Sequence, residues 1–196
     1  MKQIILASSS PRRKEILKMI GLPFISCAAD IDETVLNDEM VEDCVLRLSQ
    51  LKAESVSGKF TDGLIIGSDT LVEATVDSES NTILGKPIDE KDAFRMLKIL
   101  SGKKSIIYTG LCLMDIRSNK KELGFSKTTV FMKPFGEKNI RNYITTHEPM
   151  DKAGSYAIQG LGASLIEKIE GDFFNGVGLP VSLLVDMLKK FGIDIP

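Results

Sequence analysis

The chain has 196 residues, of which 43% are hydrophobic and 27% charged, and its formal net charge is −2. This length and composition predict an ordinary globular protein with one domain, or two closely packed lobes, around a substantial core. A near-neutral chain without a long basic run disfavours nucleic acid as a partner, but a local basic cluster for a small anion is compatible with it.

Histidine and cysteine content restricts the metal chemistry. His147 is the only histidine, and the cysteines at positions 27, 44 and 112 form no C-x-x-C pair. Such thiols are typical of small buried residues in a reducing compartment rather than of disulfides or zinc ligands. Any metal is therefore expected to be a hard divalent ion held by carboxylate, substrate phosphate and water. The sequence has neither a signal-peptide pattern nor a membrane-spanning run, which predicts a cytoplasmic protein with no membrane partner.

The hydrophobic pattern predicts strands and helices interspersed along the chain. A short buried strand over residues 3–8 leads into a helix that begins at Ser10 and Pro11. The other predicted elements are a helix over 41–56, a strand over 63–76 broken around Gly67–Asp69, a turn over 77–81, a returning strand over 82–87, a helix from Asp89 to Gly102, β-rich runs over 105–116 and 123–135, a helix over 137–146, a strand around a turn over 162–174, and a closing helix over 180–192. This order predicts an α/β fold with a mixed sheet rather than a purely parallel one.

The stretch LASSSPRRKEIL, residues 6–17, suggests an anion site at a helix start. With Ser10 as the N-cap and Pro11 as the first helical residue, Arg12 and Arg13 fall in the first turn. The helix dipole disfavours cations there, so two arginines make physical sense if a multiply charged anion lies over them. The alternative is a capped helix with solvated arginines, and local physics leaves the two interpretations balanced.

Two further segments carry charged candidates. IIGSDTLV places Asp69 at the end of an apolar strand, after Gly67 and Ser68, where the sheet is expected to open to solvent. An acid there could hold Mg²⁺ or accept a proton. A turn-forming aspartate is the equally plain alternative. In LGKP, Lys86 lies between Gly85 and Pro87 on a stiff corner, although exposed turn lysines are common.

The segment DKAGSYAIQGLGA, residues 151–163, combines small residues with the polar Ser155 and Gln159. Few large apolar side chains and several glycines allow a backbone to approach a ligand closely. A plain glycine-rich loop is the competing interpretation.

These segments together resemble the Maf family of nucleoside triphosphate pyrophosphatases. The resemblance rests on LASSSPRRKEIL, Glu33 in an acidic loop, LKA with Lys52, GSDTLV, LGKP, SGK…YTG, EPMDKAGSYAIQG and IEGDFFNGVGLP, which follow one another in order over nearly the whole chain. It implies a single Maf-like domain over 1–196, with a mixed twisted sheet flanked by helices and two lobes with a cleft between them, as in inosine triphosphatase. It also implies a homodimer that uses Mg²⁺ or Mn²⁺ to hydrolyse a nucleoside triphosphate to the monophosphate and pyrophosphate.

The resemblance also assigns roles to single residues. It implies that Asp69 is the catalytic acid, as general base or metal ligand, and that Glu33 lies near the same metal. The implied phosphate-binding residues are Ser8, Arg13, Lys52 and Lys86, and the implied specificity residues are Arg12, Thr70 and Gln159. The last three match the branch that resembles dTTP and UTP pyrophosphatases, and a Gln amide suits the adjacent N–H and C=O groups of uracil or thymine.

Alternative functions are a 7-methyl-GTP-preferring pyrophosphatase and a nucleotide-binding regulator of cell division or septum formation. Two positions depart from the family pattern. Ser105 stands where many relatives carry histidine, and Gly176 stands where they often have a β-branched residue. We expect the first change to be tolerated and the second to loosen its turn.

Overall fold

A computed structural model describes residues 2–36, 38–76 and 80–195. Within these ranges the strands are β1 (Ile4–Leu6), β2 (Ile25–Ser26), β3 (Leu64–Thr75), β4 (Asn81–Leu84), β5 (Lys104–Asp115), β6 (Lys121–Met132) and β7 (Ile166–Gly171). The α-helices are α1 (Pro11–Met19), α2 (Val41–Ser57), α3 (Glu90–Leu100), α4 (Glu137–Ile144), α5 (Phe173–Val177) and α6 (Val181–Lys189), with 3-10 turns at Glu148–Asp151, Ala153–Ser155 and Leu161–Leu165. None of the helices in these ranges is both long and apolar enough to cross a membrane.

The strands form one seven-stranded mixed sheet in the order β2-β1-β3-β5-β6-β7, with β4 paired to β3. β1 runs parallel to β2 and β3, whereas β4 is antiparallel to β3 and β7 is antiparallel to β6. The predicted mixed α/β architecture is therefore confirmed. The hairpin return onto β3 is also confirmed, while most of its predicted turn, residues 77–79, lies outside the described residues.

The chain divides into two compact units, and it passes from one to the other within β3, β5 and β6 and again after Val177. Unit 1 comprises residues up to Asp69, Thr109–Ser126 and the segment from Gly178 onwards. It contains α1, α2 and α6. Its apolar core includes Ile5, Ala7, Ala53, Val56, Ile65, Cys112 and Met114, all nearly inaccessible to water. Burial of these side chains is the main favourable contribution to folding of the unit.

Helix α2 lies directly on the sheet of unit 1 because two glycines remove the side chains beneath it. A Cβ added to Gly67 on β3 would lie 2.1 Å from the carbonyl oxygen of Ser49. A Cβ on Gly110 of β5 would lie 2.2 Å from the carbonyl oxygen of Val45. Both distances are impossible for real atoms, so this close approach of helix to sheet requires glycine at both positions.

The predicted break around Gly67–Asp69 is wrong, because β3 runs without interruption from Leu64 to Thr75. Gly67 serves close packing under α2 rather than a turn. The prediction that Asp69 emerges into solvent is wrong for the same reason, since Asp69 lies within the strand and is only 5% exposed.

Unit 2 comprises Thr70–Tyr108 and Lys127–Val177. Its helix α3 is capped by Asp89, whose side chain accepts a 2.8 Å hydrogen bond from the backbone N–H of Asp92, as predicted. Helix α3 packs against α4, which confirms the predicted helix near residues 137–146. The segment predicted as a strand around a turn forms β7 and then the short helix α5.

The two departures from the family pattern also have local explanations in unit 2. Ser105 is buried and its hydroxyl lies 3.2 Å from that of Tyr156, so the position is filled by a hydrogen-bonded polar pair. A Cβ on Gly176 would lie 2.5 Å from Cδ1 of Ile158, so glycine permits tight packing there rather than a loose turn.

We predict that Gly67→Ala lowers the free energy of unfolding by about 2 kcal/mol or more, because the added methyl group must push α2 off the sheet. Urea denaturation of the purified variant measures this loss. The matched control is Gly58→Ala at the end of α2, where an added Cβ meets nothing within 4 Å and φ is −68°. That change should leave stability equal or raise it by about 0.5 kcal/mol. Equal stability of the two variants would contradict the close-packing account.

Candidate active site

The N-terminus of α1 is built from hydroxyl groups, as the sequence predicted. Pro11 is the first helical residue, and the Ser10 hydroxyl accepts a 3.5 Å hydrogen bond from the backbone N–H of Arg13. The Ser8 hydroxyl accepts a 3.1 Å bond from the backbone N–H of Ser10. Ser10 therefore caps the helix, and Ser8 shapes the loop that leads into it.

Arg13 is buried rather than solvated, so the alternative of two solvated arginines is wrong for this residue. Its Nε donates to the carbonyl oxygen of Gly178 at 2.8 Å, and its Nη1 donates to the Ser8 hydroxyl at 3.2 Å. Desolvation lowers the pKa of Arg13, and the negative charge of Asp69 opposes that shift. The result is a fixed guanidinium cation in the neighbourhood of Asp69.

Arg12 precedes Arg13 in the first turn of α1 and is partly exposed. Successive residues of an α-helix point about 100° apart, so the two guanidinium groups leave the helix in different directions. The adjacent arginines therefore differ in burial, since Arg13 is buried and Arg12 lies nearer to solvent.

Lys52 on α2 joins two carboxylates at one ammonium group. Its Nζ lies 2.5 Å from Oδ1 of Asp69 and 2.8 Å from Oε1 of Glu33. Lys52 and Asp69 are both buried, whereas the Glu33 side chain is half exposed. A buried charge pair of this kind needs both partners, because either charge alone would be desolvated without compensation.

The position of this ion cluster follows from the packing of α2 on β3. Gly67 and Asp69 lie two residues apart on the strand and so share a face of the sheet. The backbone of Ser49 contacts Gly67, and Lys52 follows Ser49 by about one helical turn. The close approach at Gly67 thus brings the Lys52 side chain to Asp69.

The loop that carries Glu33 is held by a second arginine. Arg47 of α2 donates to the backbone carbonyl oxygen of Thr34 at 3.0 Å and pairs with both carboxylate oxygens of Glu39, at 2.6 and 2.7 Å. The Asp32 side chain accepts from the backbone N–H of Thr34 at 2.9 Å. The hydrogen bond from Arg47 lowers the pKa of Glu39 to about 2. Arg47 therefore helps to fix the loop beside Lys52.

The two carboxylates at Lys52 are also of the type that binds a hard divalent cation. Glu33 and Asp69 direct carboxylate oxygens at one positive group, so this position already favours cationic charge. Among the residues that the structure describes, no cluster of three or more His, Cys, Asp or Glu side chains could enclose a metal. Two carboxylates completed by substrate phosphate and water form the ligand set typical of Mg²⁺.

The other predicted site residues belong to unit 2. Thr70 follows Asp69 on β3, so its side chain points to the opposite face of the strand. Lys86 is exposed in the bend after β4, and Gln159 is exposed in the loop that precedes Leu161–Leu165. The backbone N–H of Gly154 donates to the carbonyl oxygen of Gly85 at 3.0 Å. This bond joins the LGKP corner to the small-residue segment.

The site contains residues that the sequence analysis missed. The carbonyl oxygen of Gly178 accepts a hydrogen bond from Arg13 and another, at 3.4 Å, from the Ser68 hydroxyl. The backbone of Gly178 has φ +110°, a conformation that favours glycine. The repeated glycines of NGVGLP were the available signal for a special backbone at this position. Arg47 had no comparable signal, because an arginine on a polar helix face is ordinary.

Comparison with known proteins identifies the family of this chain. The sequence model of the Maf-like protein family matches residues 3–191. The chain belongs to the Maf-like protein family. A dTTP/UTP pyrophosphatase of Pelotomaculum thermopropionicum is 45% identical over the full length of both chains, and that of Clostridioides difficile is 45% identical over 96% of this chain and 94% of its own length. The family resemblance in the motifs is thus confirmed.

A solved structure also supports the fold of this Maf-like chain. The Staphylococcus aureus Ham1 protein superposes with a TM-score of 0.52 over 97% of each chain, at 12% sequence identity. At that identity the likeness concerns the fold alone.

We predict strong coupling within the buried pair. Lys52→Met leaves the Asp69 carboxylate buried without its cation and should lower the free energy of unfolding by about 3 kcal/mol. The double variant Lys52→Met with Asp69→Asn should recover part of this loss, because no uncompensated buried charge remains at Asp69. Urea denaturation of the single and double variants at neutral pH measures the coupling. Losses that simply add would show that the two charges do not stabilise each other.

A second prediction concerns the pH dependence of the Glu39–Arg47 pair. The pKa of Glu39 falls from an ordinary 4.5 to about 2 in the folded chain, so the pair stabilises the fold above pH 4.5 and loses this effect as the pH falls towards 2. The stability difference between the wild type and Glu39→Gln should therefore shrink over that interval. Thermal unfolding across this pH range tests it, with Glu15→Gln on α1 as the control. A difference that does not change with pH would contradict the assignment.

Proposed function

We propose that the chain hydrolyses dTTP and UTP to the nucleoside monophosphate and pyrophosphate. The observation that carries the proposal is the buried Lys52–Asp69 pair with Glu33 at the same ammonium, in the neighbourhood of the fixed Arg13 guanidinium. Membership of the Maf-like family and the name of relatives about 45% identical, dTTP/UTP pyrophosphatase, support the choice of reaction and of substrates.

In the proposed reaction, water attacks the α-phosphorus in line with the bridging oxygen between the α and β phosphates. A P–O bond forms at the α-phosphorus, the α–β anhydride bond breaks, and pyrophosphate leaves. Asp69 accepts the proton from the attacking water, because it is a carboxylate held at a fixed position beside Lys52.

Negative charge develops on the leaving pyrophosphate, so fixed cations near it accelerate the reaction. Lys52 and Arg13 provide such charges in unit 1, and their hydrogen bonds keep them oriented before substrate arrives. We assign Lys86 and the Ser8 hydroxyl to phosphate binding on the strength of the family resemblance. Arg12, Thr70 and Gln159 are assigned to selection of the base on the same ground.

Glu33 and Asp69 would hold Mg²⁺ or Mn²⁺, consistent with their convergence on one cationic position. When bound, the cation neutralises phosphate charge and polarises the phosphoryl group. A homodimer and a cytoplasmic location complete the proposal. The three cysteines are free thiols, which fits a reducing compartment.

We predict that the purified chain, with Mg²⁺ or Mn²⁺, releases pyrophosphate and monophosphate from dTTP and UTP in preference to other triphosphates. Asp69→Asn should lower this rate by about 100-fold or more while the protein stays folded, because the proton acceptor is lost. Chromatography of the products and a pyrophosphate assay measure both effects. Asp186→Asn, an exposed carboxylate on α6, is the matched control and should behave as the wild type.

Other outcomes of this assay separate the alternatives. Release of orthophosphate would indicate a different triphosphatase, and preference for 7-methyl-GTP would indicate the other branch of the family. Tight nucleotide binding without turnover would support the regulatory function instead. Near-normal activity of Asp69→Asn would remove this residue from the mechanism.

A further inference from the structure

The loop that carries Gln159 is attached to the protein by the side chain of Glu148. Glu148 begins the 3-10 turn that follows α4, and its carboxylate accepts from the backbone N–H of Leu161 at 2.9 Å through Oε2 and of Gly162 at 3.2 Å through Oε1. Charge-assisted bonds from backbone amides to a carboxylate are among the stronger hydrogen bonds in proteins. One side chain thus holds the C-terminal side of the Gln159 loop.

Tyr143 holds the other side of the same loop. Its hydroxyl accepts a 3.2 Å bond from the backbone N–H of Ala157 and donates to Oε1 of Glu148 at 3.3 Å. Burial raises the pKa of Tyr143, so the phenol stays protonated and keeps its donor. Tyr143 and Glu148 therefore form one connected pair that bonds the loop both before and after Gln159.

Two glycines adapt the loop to this pair. Gly160 has φ +82°, and a Cβ there would lie 2.9 Å from Oε1 of Glu148. A Cβ on Gly162 would lie 2.5 Å from the hydroxyl oxygen of Tyr143. The backbone can approach the carboxylate and the phenol this closely only because both residues lack side chains.

Burial along this loop changes at Gln159. Tyr156 and Ile158 are buried, with Tyr156 bonded to Ser105 and Ile158 packed on Gly176, whereas Gln159 and Gly160 are exposed. The loop is thus fixed by the packing of its buried side chains and by hydrogen bonds to its backbone before and after Gln159. Gln159, the one long exposed polar side chain of the loop, is therefore attached to a backbone with a fixed position.

We infer that Glu148 is a positioning residue for nucleotide selection, which holds the backbone around Gln159 so that the amide meets a pyrimidine base in a fixed orientation. The inference rests on the proposed function, in which Gln159 selects the base. Glu148 touches neither substrate nor reacting atoms in this scheme. It acts through Leu161 and Gly162.

The test compares Glu148→Gln with the wild type and with Gln159→Ala. A glutamine offers one acceptor oxygen and an NH₂ group, so it cannot accept from both backbone amides as the carboxylate does. We expect the ratio of kcat/KM for dTTP to that for dATP to fall about tenfold, a change equivalent to about 1.4 kcal/mol. The loss should come mainly from a higher KM for dTTP, with kcat largely kept.

A double variant distinguishes positioning from general damage. If Glu148 acts through Gln159, Glu148→Gln should lower selectivity no further in the Gln159→Ala background. Glu137→Gln on α4 is the matched control and should keep both selectivity and KM. Equal selectivity of Glu148→Gln and wild type, or losses that add in the double variant, would overturn the inference.

Amide hydrogen exchange of the nucleotide-free protein gives a second readout. Exchange at Leu161 and Gly162 should accelerate in Glu148→Gln but not in Glu137→Gln, and exchange at Ala157 should accelerate in Tyr143→Phe. If Glu148→Gln does not fold, Tyr143→Phe replaces it in the selectivity test, because this variant keeps the aromatic ring. The same loss of dTTP selectivity is expected. Unchanged exchange in these variants would refute the attachment itself. A wild type without activity on any triphosphate would refute the proposed function and the role in base selection, while exchange would still report whether the loop is attached.

Discussion

Lys52 places its ammonium between the carboxylates of Glu33 and Asp69, and the ion cluster of unit 1 depends on that position. The lysine reaches Asp69 because α2 lies on β3 without an intervening side chain at Gly67. Asp69 remains an integral part of the strand, so its carboxylate is fixed by the sheet rather than by a flexible turn. In the proposed reaction, in which Asp69 accepts a proton from one water molecule, such fixation removes the need for reorganisation when the reaction occurs.

Other candidate groups in each unit are fixed by hydrogen bonds from side chains. Arg13 is held by a carbonyl oxygen and a hydroxyl, and the loop of Glu33 is held by Arg47. The Gln159 loop of unit 2 is held by the carboxylate of Glu148. In each case a charged side chain bonds to backbone groups of a loop, which orders the loop without the need for regular secondary structure.

Local signals in the sequence predicted the local features. The N-caps at Ser10 and Asp89, the hairpin onto β3 and the closing helix all follow from residues within a few positions of one another. Local patterns suggested Arg13 and Asp69, and motif resemblance added Ser8, Glu33 and Lys52. All five lie in unit 1. The position of Asp69 was mispredicted because glycine permits both a turn and close packing, and only the distant Ser49 decides between them. The roles of Gly178, Arg47 and Glu148 depend on partners far along the chain or on backbone groups, which residue patterns do not encode.

The bond from Arg13 to Gly178 spans 165 residues of sequence. During synthesis the N-terminal segment leaves the ribosome long before Gly178 does. The Nε of Arg13 therefore lacks this acceptor until Gly178 has been synthesised. A chain that ends before Gly178 lacks the acceptor of Arg13 Nε and keeps only the bond from Nη1 to Ser8, even if its other elements have formed. In the proposed reaction, full orientation of this cation therefore depends on a residue synthesised 165 positions after it.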